Sequence, residues 1–244
     1  RYFENPRLTT VRNIPSYTFS HQSDILRERY SIPVNIPIFI YQGAISKSRG
    51  VDLILEAVKR IRYDEFRFLF LGSGPYLKEI EHFVHEHDME SKFILSEAVP
   101  QNELLAYLSS GDIGVHAISN TCLNHAYCLP NKLFEYIHAG LGVLCTDLKE
   151  MSHLVQENGI GLNFEDRNPD DLALKMRYLI EHRDQMNRYK SNSRQLSKFL
   201  TWDNEYSGLE GLYRELLCPE TTTNELPAAS YGVSKDQESS DRSK

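Results

Sequence analysis

Residues 38–58 read IFIYQGAISKSRGVDLILEAV, and this stretch decides the fold. Residues 38–42 read as a strand, because 38–41 form a continuous run of β-branched and aromatic side chains, the pattern of a strand covered on both faces. Gly43 ends the run, and a loop of small and basic residues follows as far as Gly50. Val51, Ile54, Leu55, Val58 and Ile61 then recur at helical spacing, which lays one apolar stripe along a helix. A buried strand, a glycine-bounded loop and an amphipathic helix together read as the first part of a parallel sheet with crossover helices.

Working outward, the same alternation repeats. FRFLFL at 66–71 is a second strand that ends in Gly72-Ser73-Gly74-Pro75, and Leu77, Ile80, Phe83 and Val84 mark the helix after it. Further strands are expected at 92–95, 112–116, in GVLC and in GIGLNF. Helices are expected at 102–108, from Asn131 to Gly140, at 149–156, at 170–182 and on to about Leu200. A long loop, 117–130, separates the fourth strand from its helix, and loops of that length in a compact domain are usually functional or mobile. A last amphipathic helix runs over 203–217, preceded by the only tryptophan, Trp202. The expected architecture is therefore α/β, a doubly wound parallel sheet of about six strands with a helix closing the C-terminal side.

Composition sets limits on function. The chain has 244 residues, 41% of them hydrophobic, with 27 lysines and arginines against 34 aspartates and glutamates for a net charge of −7. An acidic chain lacks the basic face that nucleic-acid phosphates require, so no nucleic-acid partner is expected. Four cysteines in a chain this long read as reduced thiols rather than a disulfide framework. No apolar run approaches the roughly 18 to 20 residues that span a bilayer. The opening RYFENPRLTTVRNIPSY begins with Arg1 and shows no hydrophobic period, as a chain entered partway through a longer one would. From Cys218 to Lys244 the sequence is rich in Ser, Thr, Glu and Pro and is expected to be a disordered tail.

Ligands of an open α/β sheet bind at the carboxyl ends of its strands, so the loops there are where chemistry is expected. The loop 43–50 joins Gly43 and Gly50 to two cations, Lys47 and Arg49, just before a helix N-terminus. Free backbone N–H groups, a helix dipole and a guanidinium suit a phosphate, and a solvated basic turn is the other reading. Gly72 and Gly74 permit close backbone approach, which a tight strand-to-helix turn explains equally well. The strongest local signal is LPNKLFEY, Leu129 to Tyr136. Asn131 is a good N-cap, and it places Lys132 in the first turn, where a cation opposes the helix dipole by roughly 0.3 to 1 kcal/mol. A lysine there makes sense if an anion sits between it and the helix end. Glu135, one turn on, can accept two hydrogen bonds from a vicinal diol such as that of ribose. The alternative is an exposed Lys132–Glu135 ion pair with no ligand at all.

Five stretches in order now resemble one family. YQGAISKSRGVDLILEAV, FLFLGSGPYLKEIE, ILSEAVPQNELLAYLSSGDIGVHA, CLPNKLFEYIHAGLGVLCTDLKEMSHLV and LTWDNEYSGLEGLYRELL resemble the C-terminal, donor-binding domain of GT-B glycosyltransferases of the retaining group called family 4, or group 1. The resemblance implies a Rossmann-like half of a GT-B fold and a nucleotide-diphosphate sugar, UDP- or GDP-linked, as substrate. It implies transfer with retention, no required metal and no other cofactor. Its partners would be a missing N-terminal acceptor domain and a glycan or lipid-linked acceptor in polysaccharide biosynthesis. The implied location is cytoplasmic, with peripheral association at the inner face of the membrane. The implied division of the chain is 1–36 as linker or the end of the missing domain, 37–200 as the donor domain, 201–217 as the crossing helix and 218–244 as tail.

Residue by residue, the resemblance gives the diphosphate to Arg49 and Lys132 and the ribose to Glu135. It puts Gly43, Lys47, Gly72, Gly74, Leu129, Pro130 and Asn131 around the donor and Ala98 and Val99 against the base. Two positions depart from the family pattern. Ala44 stands where many members carry an arginine, and Tyr127 stands where many carry the first acid of a Glu-x7-Glu pair. The expectation is that Lys132 replaces the missing cation and that Tyr127, Asn124 or His125 replaces the sugar contact.

Two readings of other classes stand beside the transferase. One is a nucleotide-sugar-binding module without catalysis in isolation; the other is a nucleotide-sugar epimerase-like protein, which would need catalytic acids from an opposing domain. Cys122, His125 and Cys128 resemble part of a zinc site but lack a local fourth ligand, so no metal is expected there. His82, His85 and His87 cannot converge at about 100° per helical residue and are expected on a solvated surface.

Overall fold

A computed structural model describes residues 10–16 and 22–217. The tail expected at 218–244 and the opening residues 1–9 lie outside the described residues. The described residues contain a six-stranded parallel sheet in the order β3-β2-β1-β4-β5-β6. Its strands are β1 Ile38–Gln42, β2 Arg67–Leu71, β3 Phe93–Ser96, β4 Ile113–His116, β5 Gly142–Thr146 and β6 Gly161–Phe164. Between and around them lie α1 Ile25–Tyr30, α2 Val51–Arg60, α3 Leu77–Glu86, α4 Gln101–Ser109, α5 Leu123–Ala126 and α6 Asn131–His138. Then follow α7 Lys149–Glu157, α8 Pro169–Glu181, α9 Arg183–Leu196 and α10 Trp202–Leu217.

Strand alternation sorts the core into two layers. In β1, Phe39 and Tyr41 enter one cluster with Phe68 and Phe70 of β2, under α2, α3 and α8. Ile38 and Ile40 enter the other with Leu69 and Leu71, under α1, α4, α6 and α7. The aromatic layer is tightly built, with the rings of Phe68 and Phe70 5.0 Å apart and Phe39 edge-on to Phe66 at 5.9 Å. α8 begins on the side chain of Asn168, which caps the amides of Asp170 and Asp171, with Pro169 in the first turn.

Sequence and structure differ at two places, the 117–130 segment and the cap of α6. The 117–130 segment is not wholly irregular, because it carries the one-turn helix α5. Within the stretch read as linker, Ile14, Leu26, Ile32 and Ile36 are buried in the second core layer. Arg27 there forms a buried ion pair with Asp112 at 2.8 Å. Asn131 is not an N-cap: Pro130 holds that position, no side chain caps α6, and Asn131 Oδ1 instead accepts a hydrogen bond from Asn13 at 3.2 Å. The proline fits because it has no N–H to leave unsatisfied.

Candidate active site

The chain order makes β1 and β4 the neighbours from which the connections run in opposite directions, the switch point at whose carboxyl ends open α/β sheets take their ligands in a crevice. The β1–β4 ladder holds Phe39 against Ile113 and Ile40 against Gly114. Just past those pairs, the Tyr136 hydroxyl bridges the two strands. It receives the Gln42 N–H at 3.1 Å and donates to the Val115 carbonyl at 3.1 Å. Gly114 makes this possible, since a Cβ there would run into the Tyr136 ring. One side chain from α6 thus fixes the helix against the switch point of the sheet.

Lys132 leads into this crevice from the first turn of α6. Its ammonium is buried, has no hydrogen-bond partner and lies 4.1 Å from the centre of the Tyr41 ring. Gly43, at φ +105°, leaves room for the lysine stem, because a Cβ there would sit 2.8 Å from Lys132 Cε. Burial, and then the Arg49 guanidinium, push the Lys132 pKa from 10.5 down to about 7, with Glu135 pulling the other way. Arg49 is exposed and pairs with no carboxylate among the described residues. The exposed Lys132–Glu135 ion pair therefore gives way to a buried cation beside a second cation, at an uncapped helix N-terminus. Glu135 itself is buried, at 7% exposure. Such an arrangement is short of negative charge and receptive to an anion.

His116 ends β4 at the floor of the same crevice. It is fully buried, and neither ring nitrogen has a hydrogen-bond partner. Burial lowers its pKa to about 3, with Lys132, Arg49 and His125 adding to the effect, so the imidazole is neutral. Gln42, at the end of β1, has an equally unpartnered buried Oε1. Sequence reading passed over both. The available signal was a polar residue closing each of the two strands at the switch point.

The remaining expected residues fall into groups. Lys47 and Arg49 lie in a single 3-10 turn, Lys47–Arg49, ended by Gly50 at φ +76°. Of the eight amides in the loop 43–50, four are engaged with backbone carbonyls. Gly43 N–H bonds Leu71 O at 2.8 Å, Ile45 N–H bonds Ser73 O at 2.9 Å, and those of Arg49 and Gly50 turn back on Ser46 and Lys47. Gly72 and Gly74 are needed for packing: a Cβ on either would strike the backbone of Gly43 or Ile45. Ala98 and Val99 follow β3, the outer strand on that side, with Ala98 exposed and Val99 packed on the second core layer. Leu129 is half-buried on that layer, and Pro130 is half-buried at the start of α6.

Tyr127 is exposed beneath the Lys149 ammonium, 5.4 Å from its ring centre, and Asn124 is exposed on α5. His125 Nδ1 is engaged locally, with Thr121 Oγ1 at 2.8 Å and Ser119 O at 3.0 Å. His82 and His85 are exposed beside Glu86 and Glu90, while His87 is half-buried and stacks on Phe83.

An open six-stranded parallel sheet of this order, with helices on both faces, defines a doubly wound, Rossmann-like class of α/β domain. The sequence profile described as "Glycosyl transferases group 1" matches residues 22–196, and the chain belongs to that family. An uncharacterized glycosyltransferase of Methanocaldococcus jannaschii is 24% identical over 177 residues, covering 72% of this chain and 48% of that relative. The chain thus spans about half the length of this curated relative. Among solved structures, S. aureus TarM, crystallised with UDP, superposes with a TM-score of 0.67 at 16% identity, covering 86% of this chain and 40% of that one. Anabaena HepE in complex with UDP gives a TM-score of 0.65 at 13% identity, covering 80% of this chain and 52% of that one. Among the described residues no helix is long and apolar enough to cross a membrane.

Proposed function

We propose that this chain is the donor-binding half of a retaining glycosyltransferase and that the crevice between β1 and β4 takes the diphosphate of a nucleotide sugar. The observation that carries the reading is Lys132: a buried ammonium with no hydrogen-bond partner, beside Arg49 and the uncapped end of α6, where Glu135 offsets the positive charge only in part. A diphosphate supplies the missing negative charge. Membership of the group 1 family supports sugar transfer as the reaction, and the UDP bound by TarM and HepE supports a nucleotide as the carrier.

In such a transfer the leaving group is the nucleoside diphosphate. Cations fixed around it stabilise the charge that grows as the sugar–phosphate bond breaks. Lys132 and Arg49 have that role here, and Glu135, three residues along α6, takes the ribose hydroxyls. The acceptor site belongs to a further domain, and a glycan or lipid-linked acceptor fits the family. Calorimetric titration of the chain with UDP, GDP and ADP tests the reading. Binding of one of them with 1:1 stoichiometry is expected, and no heat from any of the three would overturn it.

A further inference from the structure

Lys132 is not the only unsatisfied group in the crevice. His116 is fully buried with both ring nitrogens unpartnered, and Gln42 Oε1 is buried and unpartnered on the adjoining strand end. Buried polar atoms are ordinarily hydrogen-bonded, because each one left without a partner forfeits its hydration with nothing in return. Three such residues at one strand crossing form a cluster whose partners must come from outside the chain. Nothing structural holds the imidazole by hydrogen bonds. Its neighbours on β4, Gly114 and Val115, are fixed instead by the ladder and by Tyr136.

We infer that His116 is a ligand-binding residue of this crevice, where its neutral ring donates an N–H hydrogen bond to the diphosphate of the bound nucleotide beside Lys132. The inference rests on the donor-site reading above. Three features of the crevice favour it. Burial, with the charges of Lys132 and Arg49 adding to it, keeps the ring uncharged, so His116 adds a directional donor without a third cation. The lysine stem beside it is the movable part of the wall: it is unbranched, and no hydrogen bond anchors its ammonium, which rests on the Tyr41 face. Drawn outward by an anion, it opens the way to the ring beneath. The second ring nitrogen and Gln42 Oε1 are then acceptors left for the hydroxyls of the attached sugar.

The test compares wild type with His116→Leu and His116→Gln, using UDP, GDP and the corresponding monophosphates UMP and GMP in titration calorimetry. Thermal unfolding is followed without ligand. Leucine removes both orphan nitrogens, so ligand-free His116→Leu is expected to melt at or above the wild-type temperature. Its affinity for the nucleoside diphosphate that wild type binds is expected to fall at least about tenfold, as loss of one hydrogen bond to a charged group implies. The monophosphate affinity changes little, and His116→Gln, which keeps a donor, recovers part of the loss.

A structural histidine gives the opposite stability result, a lower melting temperature in His116→Leu, and that outcome overturns the inference. So does unchanged diphosphate affinity in a folded His116→Leu chain, which leaves the donor-site reading standing. If wild type binds none of the nucleotides, the donor-site reading fails, and the role of His116 fails with it.

Discussion

Replacing Lys132 by methionine is expected to make the ligand-free chain more stable. Methionine keeps an unbranched stem of similar length to fill the space over Gly43 and Tyr41, and it removes the charge. A lysine whose pKa falls from 10.5 to about 7 carries about 5 kcal/mol against its charged form, at about 1.4 kcal/mol per tenfold change. The contact with the Tyr41 ring at 4.1 Å returns up to about 2 kcal/mol when desolvated. The net penalty is about 3 kcal/mol.

Its sign with pH follows from proton counting. Between about 7 and 10.5 the unfolded chain holds a proton on Lys132 that the folded chain tends to release. Wild-type stability therefore rises across that window relative to the variant. The penalty is fully present below pH 7 and gone above pH 10.5, and the Tyr41 contact narrows the window from its lower end. Urea unfolding of both chains at pH 6.5, 8 and 9.5 reads the effect. Lys132→Met should be more stable by about 3 kcal/mol at pH 6.5, with the gap closing as pH rises. A variant less stable than wild type at pH 6.5, or a gap that does not change with pH, would refute the view of Lys132 as a buried, only partly compensated cation.

Two further outcomes test how the crevice is held. Asp112 accepts from Arg27 at 2.8 Å, Lys190 at 2.6 Å and the Ile38 N–H at 2.9 Å, all within the interior, so Asp112→Ala leaves two cations and an amide without their acceptor. A loss of about 3 to 5 kcal/mol is expected in urea unfolding, and a loss below 1 kcal/mol would show that water replaces the carboxylate. Gly50 combines φ +76° with a position where a Cβ would strike the Ala117 carbonyl, so Gly50→Ala is expected to lift the 43–49 loop off the β4 loop and carry Arg49 away. UDP affinity should fall by tenfold or more while the far-ultraviolet circular dichroism is unchanged, and undiminished affinity would separate Arg49 from the anion site.

The parallel sheet was legible because strand and helix periods alternate from 38–42 onward. Each strand is apolar on both faces and each helix on one, and that pattern needs no knowledge of distant contacts. The strand order β3-β2-β1-β4-β5-β6 was not legible in the same way, because doubly wound sheets occur in more than one order and local periods do not distinguish them. The 117–130 segment was harder. A one-turn helix such as α5 contains four residues, too few for a period to show. The assignment of Asn131 as cap failed for a related reason: asparagine and proline are both acceptable at a helix start, and which one stands outside the first turn depends on where the chain enters from Leu129.

Within the site, residue types drew attention to loops at the carboxyl ends of the strands, while burial and hydrogen-bond partners are visible only in the structure. Arg49 and Lys132 were both readable as anion-binding cations from their place after glycine or in a first helical turn. Gly72 and Gly74, read as backbone open to a ligand, turn out to admit another loop of the same chain.

What the sequence determined by itself is the class of fold, the family and the segments that end at the switch point, because those are written in local period and in motif. Only the tertiary structure decided that the Lys132 ammonium lies buried on Tyr41 without a hydrogen-bond partner, and that His116 and Gln42 close the same crevice with unpartnered atoms. Burial and missing partners are relations among side chains from separate elements, such as Gln42 and His116, 74 positions apart, so no local pattern carries them. They exist only once β1, β4 and α6 meet.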